Sequence, residues 1–206
     1  WESERGKNLL FSIRLDRPPL RTDCLFLLSE ANALALVETL DEYAEGFSIK
    51  WPNDIYYDNQ KLVSILIEIA LTGQYIGHSI AGIGLNINQV QWISNAPNPI
   101  SMKQITGQEY EPEALMNEWI AAMQQWEDCS TEQLYLAYYQ HLYRRDGWHK
   151  YVEREVSLTP TAVAPEGIEG EFIATISGIT PQGELILRKE NNEEKTYHFK
   201  QIRFVL

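Results

Sequence analysis

Apolar and polar residues alternate from Phe47 to Trp51, with Phe47, Ile49 and Trp51 set against Ser48 and Lys50. A strand here turns its apolar side chains to one face and the Lys50 ammonium to the other. Pro52 stops it, and Asn53 and Asp54 are residues that make turns by bonding nearby backbone. Ile55–Tyr57 then reads as a short strand, Asp58, Asn59 and Gln60 as a turn, and Lys61–Ala70 as a longer strand that is apolar on both faces. After a second turn at Thr72 and Gly73, Tyr75–Asn88 returns to period 2: Ala81, Ile83, Leu85 and Ile87 alternate with Gly82, Gly84, Asn86 and Asn88. Glycine weakens a strand, so two on one face predict that another segment or a ligand presses on the backbone there. Strands joined by short turns predict an antiparallel meander, and flanking helices make the class α+β, a mixed or antiparallel sheet with helices on one side.

Outside this stretch, Asn8–Leu15 has strand character, with Leu10 or Phe11 toward the core depending on register, and Pro18 and Pro19 end it. Apolar positions recur at helical spacing from Thr22 to Tyr43, with Thr22 or Asp23 as the cap and Gly46 just past the end. Gln89–Ser101, which holds Trp92 and the run Asn95–Pro99, has no clear period and reads as a loop. Pro112–Asp128 and Thr131–Tyr143 are amphipathic helices whose apolar stripes (Leu115, Trp119, Met123; Leu134, Tyr138, Leu142) are core packing. From Tyr151 to Val156 the pattern turns to β, and short strands at Glu171–Ser177, Glu184–Lys189, Lys195–Phe199 and Ile202–Leu206 predict a small barrel. Two domains follow, residues 1–153 and residues 154–206.

Composition narrows the function. The chain has 206 residues, 29 acidic against 17 basic, for a net charge of -12. That balance, with Glu166, Glu169, Glu171 and Glu184 in the β-rich region, argues against a nucleic-acid surface. No apolar run reaches the roughly 18 residues of a membrane span. Cys24 and Cys129 stand at no metal-ligand spacing, which favours a reducing cytoplasm over a secreted disulfide framework. The opening WESERGKNLLFSI reads as mid-domain sequence, so an N-terminal part is expected to be missing. Gly77–Ala81 (GHSIA) approximates a hydrolase elbow, but strand pattern continues on both sides of it. There is no Walker loop, GIGLN lacks the third glycine and following helix of a dinucleotide fingerprint, and His78, His141, His149 and His198 are scattered.

Three segments in register, KWPND (Lys50–Asp54), KLVSILIE (Lys61–Glu68) and GIGLN (Gly82–Asn86), resemble the biotin protein ligases, which attach biotin to a lysine of a carboxylase carrier domain. Ser64 departs from the pattern, since the family has glycine there (KLAGILVE), and it sets a small hydroxyl beside or beneath the ligand. The resemblance implies a biotin/lipoyl ligase-like catalytic domain followed by a small SH3-like β-barrel. It also implies ATP-dependent formation of biotinyl-5'-AMP and transfer to the biotin carboxyl carrier domain of an acetyl-CoA carboxylase. By resemblance, Lys50 is the catalytic lysine bridging the biotin carboxyl and the phosphate, Gly82 and Gly84 form the wall for the biotin ring, and Asn86 reads the adenine. Asn53 either touches the nucleotide or only makes the turn. Lys61 neutralises pyrophosphate or is solvated, and Trp92 is either a lid over the adenine or an anchor of its loop. Magnesium would accompany ATP and needs one or two carboxylates; Asp54 and Glu68 are the unranked candidates. The family's Arg- and Gly-rich loop precedes Trp1 in the aligned order.

The rival enzyme is a lipoyl-protein ligase of the same fold and chemistry, disfavoured by KWPND followed by GIGLN. A biotin-responsive repressor would need a DNA-binding domain before Trp1, and a binding-only module would sequester biotin without activating it. Expected partners are biotin, ATP and the carrier, with neither a membrane nor, for this chain, a nucleic acid. An exposed sheet edge is expected to pair with the carrier or with a second copy as a homodimer.

Overall fold

A computed structural model describes residues 2–15, 21–127, 129–154 and 170–206. The expected stop at Pro18 and Pro19, the helix end at Asp128, the change of pattern through Val156, and Glu166 and Glu169 lie outside those residues. The chain divides into two compact units, one ending at Tyr143 and the other running from Arg144 to Leu206.

In the first unit, β1 (Leu9–Leu15), β2 (Phe47–Lys50), β3 (Asp54–Tyr57), β4 (Gln60–Thr72) and β5 (Tyr75–Leu85) form a five-stranded antiparallel sheet in the order β1-β5-β4-β3-β2. The meander predicted from the turn residues is its body, and β1 adds along the free side of β5, with Leu10 opposite Gly84 and Ser12 opposite Gly82. Period-2 alternation makes the two faces unlike. Ile49, Ile55, Val63, Ile65, Ala81, Ile83 and Leu85 are buried on one face. Phe11 turns to that side too, its ring edge-on to Trp119 at 5.4 Å between centroids. Leu10, Ser12, Ser64, Leu66, Gly82 and Gly84 share the other face, which none of the described helices covers: Leu66 remains 62% and Leu10 49% exposed.

Helices cover the apolar face. Of these, α1 (Phe26–Asp41) is buried almost all round, packed between the sheet and the later helices α3 (Pro112–Glu127) and α4 (Thr131–Gln140). The sequence predicts a start at Thr22 with Thr22 or Asp23 as cap. Instead Thr22–Cys24 makes a short 3-10 turn, and the Thr22 amide donates to the Gln74 carbonyl at 3.1 Å. That bond ties the chain to the β4–β5 turn, and the helix starts beyond it, with no side-chain cap. The segment read as loop runs into a further helix, α2 (Met102–Thr106). Ser101 and Gln104 close a capping box on it and Gly107 ends it at φ 78°, so S-x-x-Q was its signal in the sequence. None of the described helices is long and apolar enough to cross a membrane.

In the second unit, β6 (His149–Glu153), β7 (Glu171–Ile179), β8 (Leu185–Lys189), β9 (Glu194–Tyr197) and β10 (Ile202–Phe204) form an antiparallel sheet in the order β10-β6-β7-β8-β9. The sequence places His149–Glu153 at the end of the first domain, whereas β6 pairs with β7 and β10 inside the second unit. The strands predicted for a barrel are present, but β9 and β10 lie at opposite edges, so the described strands make an open sheet rather than a closed barrel.

Candidate functional site

The uncovered face of the first sheet carries the residues that the motifs single out, and one irregularity gathers them. Ile55 of β3 pairs with Val63 of β4, but the next residue, Tyr56, pairs with Lys61, so Leu62 is an extra residue in the ladder. Without that bulge, Lys61 would share the buried face of Val63 and Ile65. The extra residue shifts the phase and turns Lys61 to the open face, the re-aiming for which bulges are used near functional sites. There its Nζ lies 2.8 Å from Oδ2 of Asp54, and the Ser64 hydroxyl donates to Oδ1 of the same carboxylate at 3.1 Å. The pair is partly buried, Asp54 being 19% and Lys61 30% exposed.

Two cavities meet at Lys61. A groove of about 610 Å³ runs over the sheet face, floored by Gly82 and Gly84 and walled by Leu10, Leu66 and Ser12. A Cβ added at Gly82 would sit 3.6 Å from the Ser12 hydroxyl and 3.7 Å from the Leu66 carbonyl, ordinary contact distances. The glycine therefore leaves free space on the groove side. A second cleft of about 350 Å³ lies beyond Asp54, between Tyr56, Asn86 and the loop carrying Trp92 and Ser94 to Pro99. Lys61 lines both.

That loop is fastened from below and from the chain start. The Lys61 amide donates to the Asn98 carbonyl at 2.7 Å and the Ile100 amide to the Lys61 carbonyl at 3.1 Å. Asn86 donates from Nδ2 to the Ile100 carbonyl at 2.9 Å, while its buried Oδ1 has no hydrogen-bond partner among the described residues. Glu2 accepts from the amides of Ile93 at 2.8 Å and Ser94 at 2.7 Å. The Ser94 side chain and these amides hold its carboxyl below the usual carboxylate range. Gln89 accepts from the Glu4 amide and from Asn8, tying the same corner. Trp92 lines the cleft with its Nε1 covered and without a partner among the described residues.

The KWPND turn is braced on both sides. Its Trp51–Pro52 peptide is cis. Tyr138 of α4 donates to the Pro52 carbonyl at 2.6 Å. Burial, and after it the charges of Glu30 and Asp54, raise the Tyr138 hydroxyl well above its ordinary range and keep it a donor. Asn53 donates to the Ile65 carbonyl at 2.6 Å and accepts the Ile65 amide on its own carbonyl at 3.1 Å. Lys50 ends β2 opposite Asp54 with its Nζ 5.4 Å from the centre of the Tyr56 ring; it stands on the open face but lines neither cavity. Asn88 bonds Tyr110 through both ends of its amide and so pins the following loop.

Gly82, Gly84, Lys61, Asp54, Ser64 and Asn86 are thus brought together. Glu68 is not: it stands exposed four residues along β4 from Ser64, about 13 Å at strand rise, opposite Ile80. With Asp54 engaged by Lys61 and Ser64, the two carboxylates form no joint metal site, and among the described residues no group of His, Cys, Asp or Glu is arranged to hold an ion. Glu2, Tyr56 and Leu66 were not legible as site residues. Only the bulge, invisible in the hydrophobic pattern, gives Tyr56 and Lys61 their common face.

Residues 1–86 match the model of the biotin/lipoate A/B protein ligase family. The bifunctional ligase/repressor BirA of Bacillus spizizenii is 27% identical over 208 residues, covering 96% of this chain and 58% of the relative. A biotin–acetyl-CoA-carboxylase ligase of Paracoccus denitrificans is 29% identical over 168 residues, covering 78% and 66%. The chain therefore spans less than two thirds of either relative's length. Among solved structures, the biotin protein ligase of Aquifex aeolicus in complex with biotin and ATP superposes with a TM-score of 0.73 at 20% identity, covering 100% of this chain and 82% of that one, a likeness of fold. Over residues 1–86, the chain is similar to the biotin/lipoate A/B protein ligase family.

Proposed function

We propose that the protein is an ATP-dependent biotin protein ligase. The observation that carries the reading is Lys61 at the junction of a glycine-floored groove and a second cleft lined by Asp54, Tyr56 and Asn86. An acid lying in the groove would present its carboxylate to a nucleotide phosphate in the cleft beside a fixed cation. The carboxylate oxygen attacks the α-phosphorus of ATP, the bond to the bridging oxygen breaks, and biotinyl-5'-AMP and pyrophosphate form. A lysine amine of a biotin carboxyl carrier domain then attacks the acyl carbon, AMP leaves, and the amine proton goes to solvent. Negative charge grows on the phosphoryl oxygens in the first step, so a preorganised ammonium stabilises the transition state more than the ground state.

In this reading Lys61 supplies that charge, with Asp54 fixing its position, and Lys50 adds a second cation on the same face, held toward Tyr56. Gly82 and Gly84 let the bicyclic ring lie against the backbone, and the free Oδ1 of Asn86 accepts from the exocyclic amine of adenine once the base displaces what covers it. Asn53 serves by fixing the turn. Magnesium would arrive with ATP, and no step is routed through it. The second unit, an open sheet in its described strands, stands where the ligases carry a small C-terminal SH3-like barrel, and the outer edge of β1 is the strand open to the carrier or a second copy. Lipoate is the rival substrate of the same fold. Adenylation assays on the full-length protein with biotin and with lipoate separate the two: preferential biotinyl-5'-AMP formation supports the reading, and preferential lipoyl-AMP formation overturns it.

A further inference from the structure

We propose that Ser64 is a positioning residue that acts through Asp54 to hold the Lys61 ammonium at the mouth of the groove. The inference deepens the ligase reading and rests on it for its catalytic consequence. Ser64 stands opposite Asp54 on one side and Gly84 on the other, in the floor of the groove. A hydroxymethyl group there would intrude on a ligand lying over Gly84, yet the hydroxyl is drawn across to β3, where it donates to Oδ1 of Asp54 at 3.1 Å. The other oxygen of that carboxylate holds Lys61 Nζ at 2.8 Å. Both oxygens are thereby engaged, and rotation of the carboxylate, which would carry the ammonium with it, breaks one bond or the other. Glycine, the residue of the KLAGILVE pattern, has no atom that can make this bond. A partly buried carboxylate that loses one of its two donors is no longer fixed in orientation, and a bond to a charged group is among the stronger kind.

The test compares Ser64→Ala, Ser64→Thr and Asp54→Asn in the full-length protein, singly and as the Ser64→Ala/Asp54→Asn pair. Two readouts are taken: the single-turnover rate of adenylate formation from biotin and ATP, and the rate at which Lys61 is acylated by an amine-reactive ester, followed by peptide mass spectrometry. The expected result is a rate at saturation roughly 10-fold lower in Ser64→Ala, the loss a hydrogen bond to a charged group carries, with biotin affinity little changed. Lys61 should be acylated several-fold faster, Ser64→Thr should restore both values, and the pair should be no worse than Asp54→Asn alone, since residues in one network do not add. Unchanged acylation of Lys61 in Ser64→Ala overturns the inference whatever the catalysis does, as does a pair whose effects multiply. A wild-type protein that forms no adenylate overturns the ligase reading instead, and the acylation rates still decide whether Ser64 positions Lys61.

Discussion

Replacing Lys61 by Met keeps the length of the stem and removes the charge, and its two consequences separate cleanly. For stability, the Lys61–Asp54 pair has partners 30% and 19% exposed, between the surface and buried extremes. Exposed pairs are worth up to about 1 kcal/mol and breaking a buried pair costs about 3–5 kcal/mol. Ser64 still serves the orphaned carboxylate, so a loss of about 1–2 kcal/mol is expected, or roughly 3–6 °C in Tm for a unit of this size. For catalysis, removal of one preorganised charge-stabilising group costs about 10²–10³ in rate, or roughly 2.7–4 kcal/mol. The rate loss exceeds the stability loss, and a domain of ordinary stability, about 5–15 kcal/mol, stays folded at 25 °C. Thermal unfolding by circular dichroism and single-turnover adenylation on the same preparation measure the two, with Lys50→Met alongside at an expected loss of about 10-fold, the lesser effect of a more distant charge. If Lys61→Met adenylates within about threefold of wild type while Lys50→Met loses 10²-fold, the junction of the two cavities is not the reacting centre, and the chemistry belongs to Lys50.

Three further outcomes follow from the same geometry. Gly82→Val fills the groove floor at a position where a Cβ meets only ordinary contacts; isothermal titration should give biotin binding weaker by about 10-fold or more, about 1.4 kcal/mol, with an undiminished Tm. Glu2→Ala removes the acceptor for the Ile93 and Ser94 amides, so KM for ATP should rise several-fold with the saturated rate near wild type; an unchanged KM would show that the loop needs no such tie. Glu30 is buried in α1, its Oε2 lacks a partner among the described residues, and burial pushes its carboxyl from 4.5 up to about 7. The folded state therefore binds the proton more tightly than the unfolded chain, and stability falls as pH rises from about 4.5 to 7 and is level above, by roughly 3 kcal/mol in all. Glu30→Gln should abolish that slope in denaturant titrations between pH 4 and 8, and a slope that persists would place its origin elsewhere.

Much of this fold is written in period-2 alternation and turn residues. Asn53-Asp54, Asp58-Asn59 and Thr72-Gly73 mark the hairpins, and the glycines of GIGLN mark the open face, because strand geometry converts alternation directly into faces. What alternation does not encode is a change of phase. Lys61 precedes a run, Leu62 to Leu66, that is apolar on both faces except at Ser64, so nothing in the sequence says which residue the ladder skips. The place of Lys61 beside the groove is for that reason not written in the sequence. Long-range ties are silent for a different reason: Glu2 meets Ile93 and Ser94 across 91 and 92 positions, and Tyr138 meets Pro52 across 86. No local pattern records a hydrogen bond between a chain start and a distant loop. Closure of the second sheet is likewise a matter of which edges meet, and strand count alone does not decide it.

Adenylate formation by the full-length protein separates a ligase from a binder. In a single turnover with biotin and ATP, biotinyl-5'-AMP and pyrophosphate should form in equal amounts, with lipoate left unreacted. Biotin that binds in the groove while ATP remains intact would contradict it and make the chain a binder rather than a ligase.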